Sequence, residues 1–394
     1  MIPAKPKQQQ GMKKLVEHDY RIPFNKPYLT GKEMHYMYQA VYSGRISGNG
    51  LYSKKCQAYF EDSCGFKKAL LTTSCTDALE MAAILADLQP GDEVIVPSYT
   101  FVSTALAFVR QGARIVFADS GPGNPNLDVS RLEALITDRT RVIVPVHYAG
   151  VACDMDVIME LAAKYHLLVV EDAAQGIDSF YKGKPLGSIG HLAAFSFHET
   201  KNINCGEGGL LAINDEKLIK RAEIIWEKGT NRSDFSRGIV SKYEWVDTGS
   251  SFLPSEINAA YLYAQIEQLS DIQAKRKRVW DIYFSELGGW AEAHGVQLPD
   301  IPEYATNNGH MFYMICASNE QRSRLIAHLK KSGIWAVSHY LSLHSSPYYT
   351  GKYEGDDLEN SDRYTACLLR LPMYYELSDA EVKDVIDCIK AFSS

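Results

Sequence analysis

Five short apolar runs, each followed by a stretch with helical spacing, constrain the fold of this chain more than anything else in it. "KALLTT" (68–73), "EVIVPS" (93–98), "RIVFAD" (114–119), "RVIVPVHY" (141–148) and "LLVVED" (167–172) are rich in β-branched residues. Apolar runs that short, without polar alternation, suit strands buried on both faces. Between them, "CTDALEMAAILADL" (75–88), "TFVSTALAFVRQG" (100–112), "DVSRLEALI" (128–136) and "DMDVIMELAAKYH" (154–166) carry apolar residues at three- and four-residue intervals, which is one face of a helix. Several open on Thr or Asp, whose side chains accept from first-turn N–H groups. A β-α-β-α order predicts an α/β domain, a mostly parallel sheet flanked by helices. From about residue 262 the pattern changes. "YAQIEQLSDIQAKRKRVWDIYFSEL" predicts one long helix, after which strands such as "MFYMICA" (311–317) mix with helices such as "EQRSRLIAHLKKSG" (320–333). The expected organisation is an N-terminal arm at 1–20, disordered or partner-bound, a large domain at 21–261, and a smaller α+β domain at 262–394. With 394 residues and 46% hydrophobic content, the chain can fill two cores.

Composition excludes several classes of function. The formal charge is −7 and no run of five or six like charges occurs, so nothing suits a nucleic-acid partner. The eight cysteines are scattered and form no C-x-x-C pair, which argues against a disulfide framework and against a metal site. They fit a reducing cytoplasm. The N-terminus has lysines but no signal-peptide apolar core, and no stretch approaches the ~18 apolar residues of a membrane span. The expectation is a cytoplasmic protein without a membrane partner, acting on small molecules.

In open parallel sheets, ligands bind beyond the carboxyl ends of the strands. Ser74, Cys75, Thr76 and Asp77 follow the first run and open a helix. Free N–H groups there, beside a Thr hydroxyl, suit a phosphate, although the same residues serve as an ordinary helix cap. Tyr99 and Phe101 follow the second run; an aromatic there can cover a planar ring or fill a core. Asp172 ends the fifth run, where it can cap a helix or hold a protonated ring nitrogen. A cationic pyridinium is what lets pyridoxal phosphate draw electrons, and its other fixture is a lysine that forms a Schiff base with its aldehyde. Lys201 follows "AAFSF" (193–197), a further strand that returns the chain to the same edge. Alone, a lysine after a strand is usually a solvated cation. A phosphate nest, an aromatic cover, a carboxylate and a lysine together at strand ends point to the cofactor.

The stretches "VVEDAAQ", "FSFHETKN" and "GEGG" resemble the DegT/DnrJ/EryC1/StrS sugar aminotransferases, which have the fold type I architecture, and the resemblance runs from "RIPFNKP" (21–27) to the C-terminus. "PSYTFVSTALAFV", "TRVIVPVHYAGVACDMD", "AEIIWEKGTNRSDF" and "DTGSSFLPSEINAAYL" resemble the subgroup that aminates dTDP-4-dehydro-6-deoxyglucose with L-glutamate for surface-polysaccharide synthesis. The resemblance implies that Lys201 carries the cofactor, that Asp172 pairs with its pyridinium, and that Gln175 meets its ring hydroxyl. It further implies that Phe101 stacks on the ring and that Cys75, Thr76, Asp77 and Ser196 surround the phosphate. Many relatives have Asn in a "GYNY"-like stretch reaching the phosphate from a neighbouring subunit; here the stretch is "GSSF", with Ser251 in that place. Arg45, Lys228 and Arg232 are candidates for the substrate's anionic groups, and His147 and His198 for near-site positions, each also explained by surface charge or packing. A homodimer with shared sites is implied by the resemblance. So is an amino-group transfer in two half-reactions, with the freed Lys201 amine as the base. Sugar 3-dehydratases of the family carry His where this chain has Lys201, which argues against that activity. Another nucleotide-sugar aminotransferase, with a 3-keto substrate or gluco product, and a non-catalytic homologue remain the alternatives.

Overall fold

In the computed structural model, which describes residues 20–393, each of the five apolar runs contains a strand. They are β1 (Lys68–Thr72), β2 (Glu93–Pro97), β3 (Arg114–Ala118), β4 (Thr140–Ile143) and β5 (Leu168–Asp172). After a small hairpin, β6 (Phe180–Tyr181) and β7 (Lys184–Pro185), the chain adds β8 (Leu192–Ser196) and β9 (Gly209–Ile213) to the same sheet. The seven strands lie in the order β1-β9-β8-β5-β4-β2-β3. Strands β3, β2, β4, β5 and β8 are parallel, whereas β9 runs against both β8 and β1.

Two helices, α1 (Glu33–Tyr42) and α2 (Leu51–Cys64), precede the sheet, and α3 (Cys75–Leu85), α4 (Ser103–Val109), α5 (Met155–Tyr165), α6 (Glu216–Trp226) and α7 (Arg232–Ser236) follow its strands. One face of the sheet presents Leu70, Val96, Val170 and Leu211 to Ala78 and Ala82 of α3, Phe108 of α4 and Trp226 of α6. The opposite face is covered in two parts. Leu71 and Phe195 meet Phe60 of α2, and Ile95, Ile143 and Val169 meet Met155 and Ile158 of α5. Side chains alternate along β5, so Val170 and Asp172 share the α3/α4 face while Glu171 points to the other.

Three elements differ from the sequence expectation. "DVSRLEALI" forms two 3-10 turns, Val129–Arg131 and Glu133–Leu135. The backbone is already extended at Ile136, which leaves too few residues to offset the cost of nucleating an α-helix. The run at 141–148 ends as a strand at Ile143; Pro145 has no N–H to give to the ladder, and only an isolated Val146–Asp172 bridge follows. The long helix is two, α8 (Glu256–Ile266) and α9 (Leu269–Ala293). Between them Glu267 reaches Lys32, just before α1, and Tyr36 of α1, at 2.8 Å each.

The change from one core to another falls within α9, whose Leu269 and Ile272 still pack with the first. Ala259, Ala260 and Leu262 of α8 stay with α2 and the sheet, while Val279, Trp280, Tyr283 and Leu287 of α9 enter a second core. The second core is completed by β10 (Tyr313–Ile315), α10 (Asn319–Lys331), β11 (Leu368–Arg370) and α12 (Asp379–Lys390), with α11 (Glu359–Cys367) leading into β11. Ile22 joins it through a bridge to Ile334. Of the expected N-terminal arm, residues 1–19 lie outside the described residues; Tyr20 stacks on Trp335 with ring centres 5.2 Å apart.

Candidate active site

Strands β1, β5 and β8 end on one edge of the sheet, and the reversed β9 begins there. Gly209 pairs with both Thr72 and Ser196. The residues singled out at strand ends are therefore neighbours in space.

Asp172 is buried on the α3/α4 face. Thr104 Oγ1 donates to its Oδ2 at 2.7 Å, and the Ala174 N–H donates to Oδ1 at 3.1 Å. Burial raises its pKa, and no Lys, Arg or His lies within ion-pair distance among the described residues. A buried carboxylate in that state favours a cationic ligand.

Lys201 sits in the turn after β8, its backbone N–H donating to the His198 carbonyl at 2.9 Å. Burial lowers its pKa to about 8, the charge of Arg370 adding to the effect while Cys75 and Asp172 oppose it. An amine titrating there is neutral often enough to accept a proton near physiological pH.

At the start of α3, Ser74 caps the Asp77 N–H at 3.1 Å. The Cys75 and Thr76 N–H groups have no acceptor among the described residues, so the helix start is open to an anion. The Thr76 hydroxyl lies 2.7 Å from that of Ser103, and the Asp77 carboxylate accepts from the Thr73 hydroxyl. Burial pushes the Cys75 thiol well up, keeping it uncharged beside this start. Gly209 approaches so closely that a Cβ on it would stand 2.3 Å from the Ser74 carbonyl carbon and 2.4 Å from the Cys75 nitrogen. Ser196, directly across from Gly209, completes the rim.

Phe101 is 55% exposed for so large an apolar ring, and faces Tyr340 with centres 5.9 Å apart. Gln175 accepts the Ala149 N–H at 2.6 Å through Oε1, and its Nε2 donates to the Tyr340 hydroxyl at 3.3 Å.

The remaining candidates are placed differently. His147 is fully buried on the face opposite Asp172; its Nε2 meets Glu171 at 2.9 Å and its Nδ1 accepts the Cys153 N–H at 3.2 Å. Burial opposes its charging, but Cys153 and Glu171 hold its pKa above the usual range, and neither ring nitrogen is left for a ligand. His198 is tied to Thr200 at 3.0 Å. Arg45 is exposed and donates to the Asn49 carbonyl at 3.1 Å. Exposed Lys228 flanks Glu227, which pairs with Arg232 at 3.6 Å and bridges to exposed Ser251. The next residue after Ser251, Phe252, accepts the Thr73 N–H at 3.0 Å, next to the α3 cap. Sequence reasoning missed Thr104, Tyr340 and Arg370. Thr104 stands one helical turn from Thr100, 3.0 Å between hydroxyls, a signal available in the sequence; Tyr340 and Arg370 lie far along the chain, past α10, and carry none. Among the described residues no group of three His, Cys, Asp or Glu side chains could hold a metal, and no helix is long and apolar enough to cross a membrane.

The buried carboxylate without a cation, the open N–H groups at α3 and the uncovered Phe101 ring fit a phosphorylated pyridinium. The fold and this edge of the sheet define a pyridoxal-phosphate-dependent aminotransferase. The chain belongs to the DegT/DnrJ/EryC1/StrS aminotransferase family, whose model matches residues 27–390. It is 32% identical over 383 residues to the spore coat polysaccharide biosynthesis protein SpsC of Bacillus subtilis, covering 95% of this chain and 97% of that one. It is 33% identical over 374 residues to GDP-perosamine synthase of Caulobacter vibrioides, covering 93% and 96%. Among solved structures, the pyridoxal-phosphate form of the putative sugar aminotransferase Spr1654 from Streptococcus pneumoniae superposes with a TM-score of 0.85 at 28% identity, covering 94% of this chain and 98% of that one. DesV of S. venezuelae does so with a TM-score of 0.87 at 30% identity, covering 95% and 100%.

Proposed function

We propose that this aminotransferase moves the amino group of L-glutamate to C4 of dTDP-4-dehydro-6-deoxy-D-glucose. The products would be 2-oxoglutarate and dTDP-4-amino-4,6-dideoxy-D-galactose, a precursor for cell-surface polysaccharide. The observation that carries the catalytic reading is the pairing of an uncharged-capable lysine with a buried, cation-seeking carboxylate at one sheet edge. The sugar rests on the stretches from 97 to 109 and from 247 to 262, together with the polysaccharide and nucleotide-sugar names of the two relatives.

Pyridoxal phosphate, when bound, supplies an electron-withdrawing ring that acidifies the carbon bearing the transferred nitrogen. Asp172, fixed by Thr104 and Ala174, would keep that ring's nitrogen protonated. Phe101 would cover one face of the ring and Gln175 would meet its hydroxyl. The open α3 N–H groups at Cys75 and Thr76, with Asp77, Ser196 and Ser251 around them, would hold the phosphate. Lys201 would be the covalent attachment point; its freed amine would carry the proton from the donor's α-carbon to the cofactor carbon that takes the nitrogen and, in the second half-reaction, from that carbon to C4 of the sugar. Both half-reactions use one amine, so ping-pong kinetics follow. Arg45, His198, Lys228 and Arg232 are the groups for the substrate's anions. Such sites are completed between two copies of the chain. Exposed Tyr38, Tyr42 and Leu51 and, on another segment, Ile239 and Trp245 supply apolar surface for a homodimer in the cytoplasm.

The test is incubation with glutamate and dTDP-4-dehydro-6-deoxyglucose, followed by NMR of the product. An axial amine at C4 is expected. An equatorial amine, amination at C3, or turnover only with a GDP-linked sugar would overturn the assignment.

A further inference from the structure

Tyr340 packs against the edge described above, and its hydroxyl is only half used. Gln175 Oε1 is occupied by the Ala149 N–H at 2.6 Å, so the end of the amide facing Tyr340 is the NH2 group. The phenol oxygen therefore accepts at 3.3 Å, and its own proton has no acceptor among the described residues.

The side chain is also held in place. The Tyr99 hydroxyl donates to the His339 carbonyl at 2.6 Å and accepts the Tyr340 N–H at 2.9 Å, and the Tyr148 hydroxyl donates to the same carbonyl at 3.2 Å. Tyr99 follows β2 and Tyr148 follows β4, so two strand ends of the large domain clamp one peptide of the small domain. The Tyr340 ring packs on Phe101 and on Tyr99, with centres 5.9 and 6.3 Å apart.

We propose that the Tyr340 hydroxyl donates a hydrogen bond to the ring oxygen of pyridoxal phosphate, sharing that oxygen with Gln175. The proposal rests on the placement of the cofactor between Phe101 and Asp172. The charged and titratable groups around Tyr340 are Arg370 from β11, Asp172 from β5, Cys75 from α3, the neighbouring His339, and Tyr99 and Tyr148 after β2 and β4, besides the Gln175 amide. Burial raises its pKa, so it stays a donor through the working pH range. Loading of the cofactor is then sensed by the small domain through a single O–H.

Tyr340→Phe removes only that O–H. Cofactor-free wild type and variant are each titrated with pyridoxal phosphate and with its 3-deoxy analogue, which lacks the ring oxygen. A second readout is the pH midpoint of the bound cofactor's colour change. The variant is expected to bind pyridoxal phosphate about tenfold more weakly and the analogue as tightly as wild type does, closing a double-mutant cycle on the one contact. An O–H donor stabilises the deprotonated ring oxygen, so its loss moves the colour midpoint upward, by about one pH unit. Equal losses for both ligands, or no loss for either, overturn the proposal. If the substitution lowers the unfolding temperature of the cofactor-free protein, Tyr340→His, which keeps a ring and an N–H donor, is titrated instead. Binding within threefold of wild type is then expected, and a tenfold loss refutes the donor role. Failure of wild type to take up pyridoxal phosphate would overturn the cofactor placement itself, a result distinct from these.

Discussion

Lys201 costs the cofactor-free protein stability, and replacing it with methionine measures how much. In the fold its pKa drops from 10.5 to about 8, burial being the first cause. At about 1.4 kcal/mol per unit that shift amounts to about 3 kcal/mol. The sign follows from proton counting. Below pH 8 the amine is charged in both states and the full cost is present; between 8 and 10.5 the unfolded chain binds a proton that the native protein does not, so stability rises with pH; above 10.5 the cost is gone. Lys201→Met, unbranched and apolar, removes the charge and keeps most of the volume. Part of the gain is returned because Asp172 loses a nearby cation, which leaves about 2–3 kcal/mol. For a chain of 394 residues that is a rise of about 3 °C in the unfolding temperature. Differential scanning calorimetry of both cofactor-free proteins at about pH 7 and at about pH 11 is the assay, the variant's advantage being expected only at the lower value. A variant less stable than wild type at neutral pH, or a gain of equal size at both values, would refute the reasoning.

Gly209→Ala forces a methyl group against the start of α3 and should cost about 1–3 kcal/mol. It should also weaken cofactor binding more than a distant substitution of equal cost, as read by chemical denaturation and by titration with pyridoxal phosphate. Glu171→Leu removes the partner of buried His147 and the acceptor of the Gly187, Ile189 and Gly190 N–H groups. A loss of about 3–5 kcal/mol is expected from denaturant midpoints, and a loss under 1 kcal/mol would show that the pair is not structural.

What the sequence made legible was local. Strand ends carry their own signal, an apolar run followed by a polar residue, and Asp172, Lys201, Phe101 and the Ser74–Asp77 stretch all lie within a few residues of one. The runs fixed the parallel sheet for the same reason. The strand at Gly209–Ile213 was passed over because its glycines read as a turn, and the reversal of β9 depends on pairing with two neighbours at once. His147 follows a strand as a site residue would, yet it turns toward Glu171, the packed histidine that the sequence also allowed. Tyr340 was invisible because its partner Gln175 is 165 positions away, and no periodicity spans two domains.

The reversal of β9 decides how the reactive amine is delivered. Because β8 leaves the edge at Ser196 and β9 re-enters it at Gly209, Lys201 rides on a loop whose two ends are hydrogen-bonded to each other. A lysine on a crossover helix would inherit every shift in that helix's packing. Here the reach of the amine depends on the length of one loop, and Asn202, next to Lys201, anchors that loop to Gln273 of α9 and to the Asn308 carbonyl. Inserting or deleting a residue between Phe197 and Gly208 would displace the amine from Asp172 while leaving every strand in register.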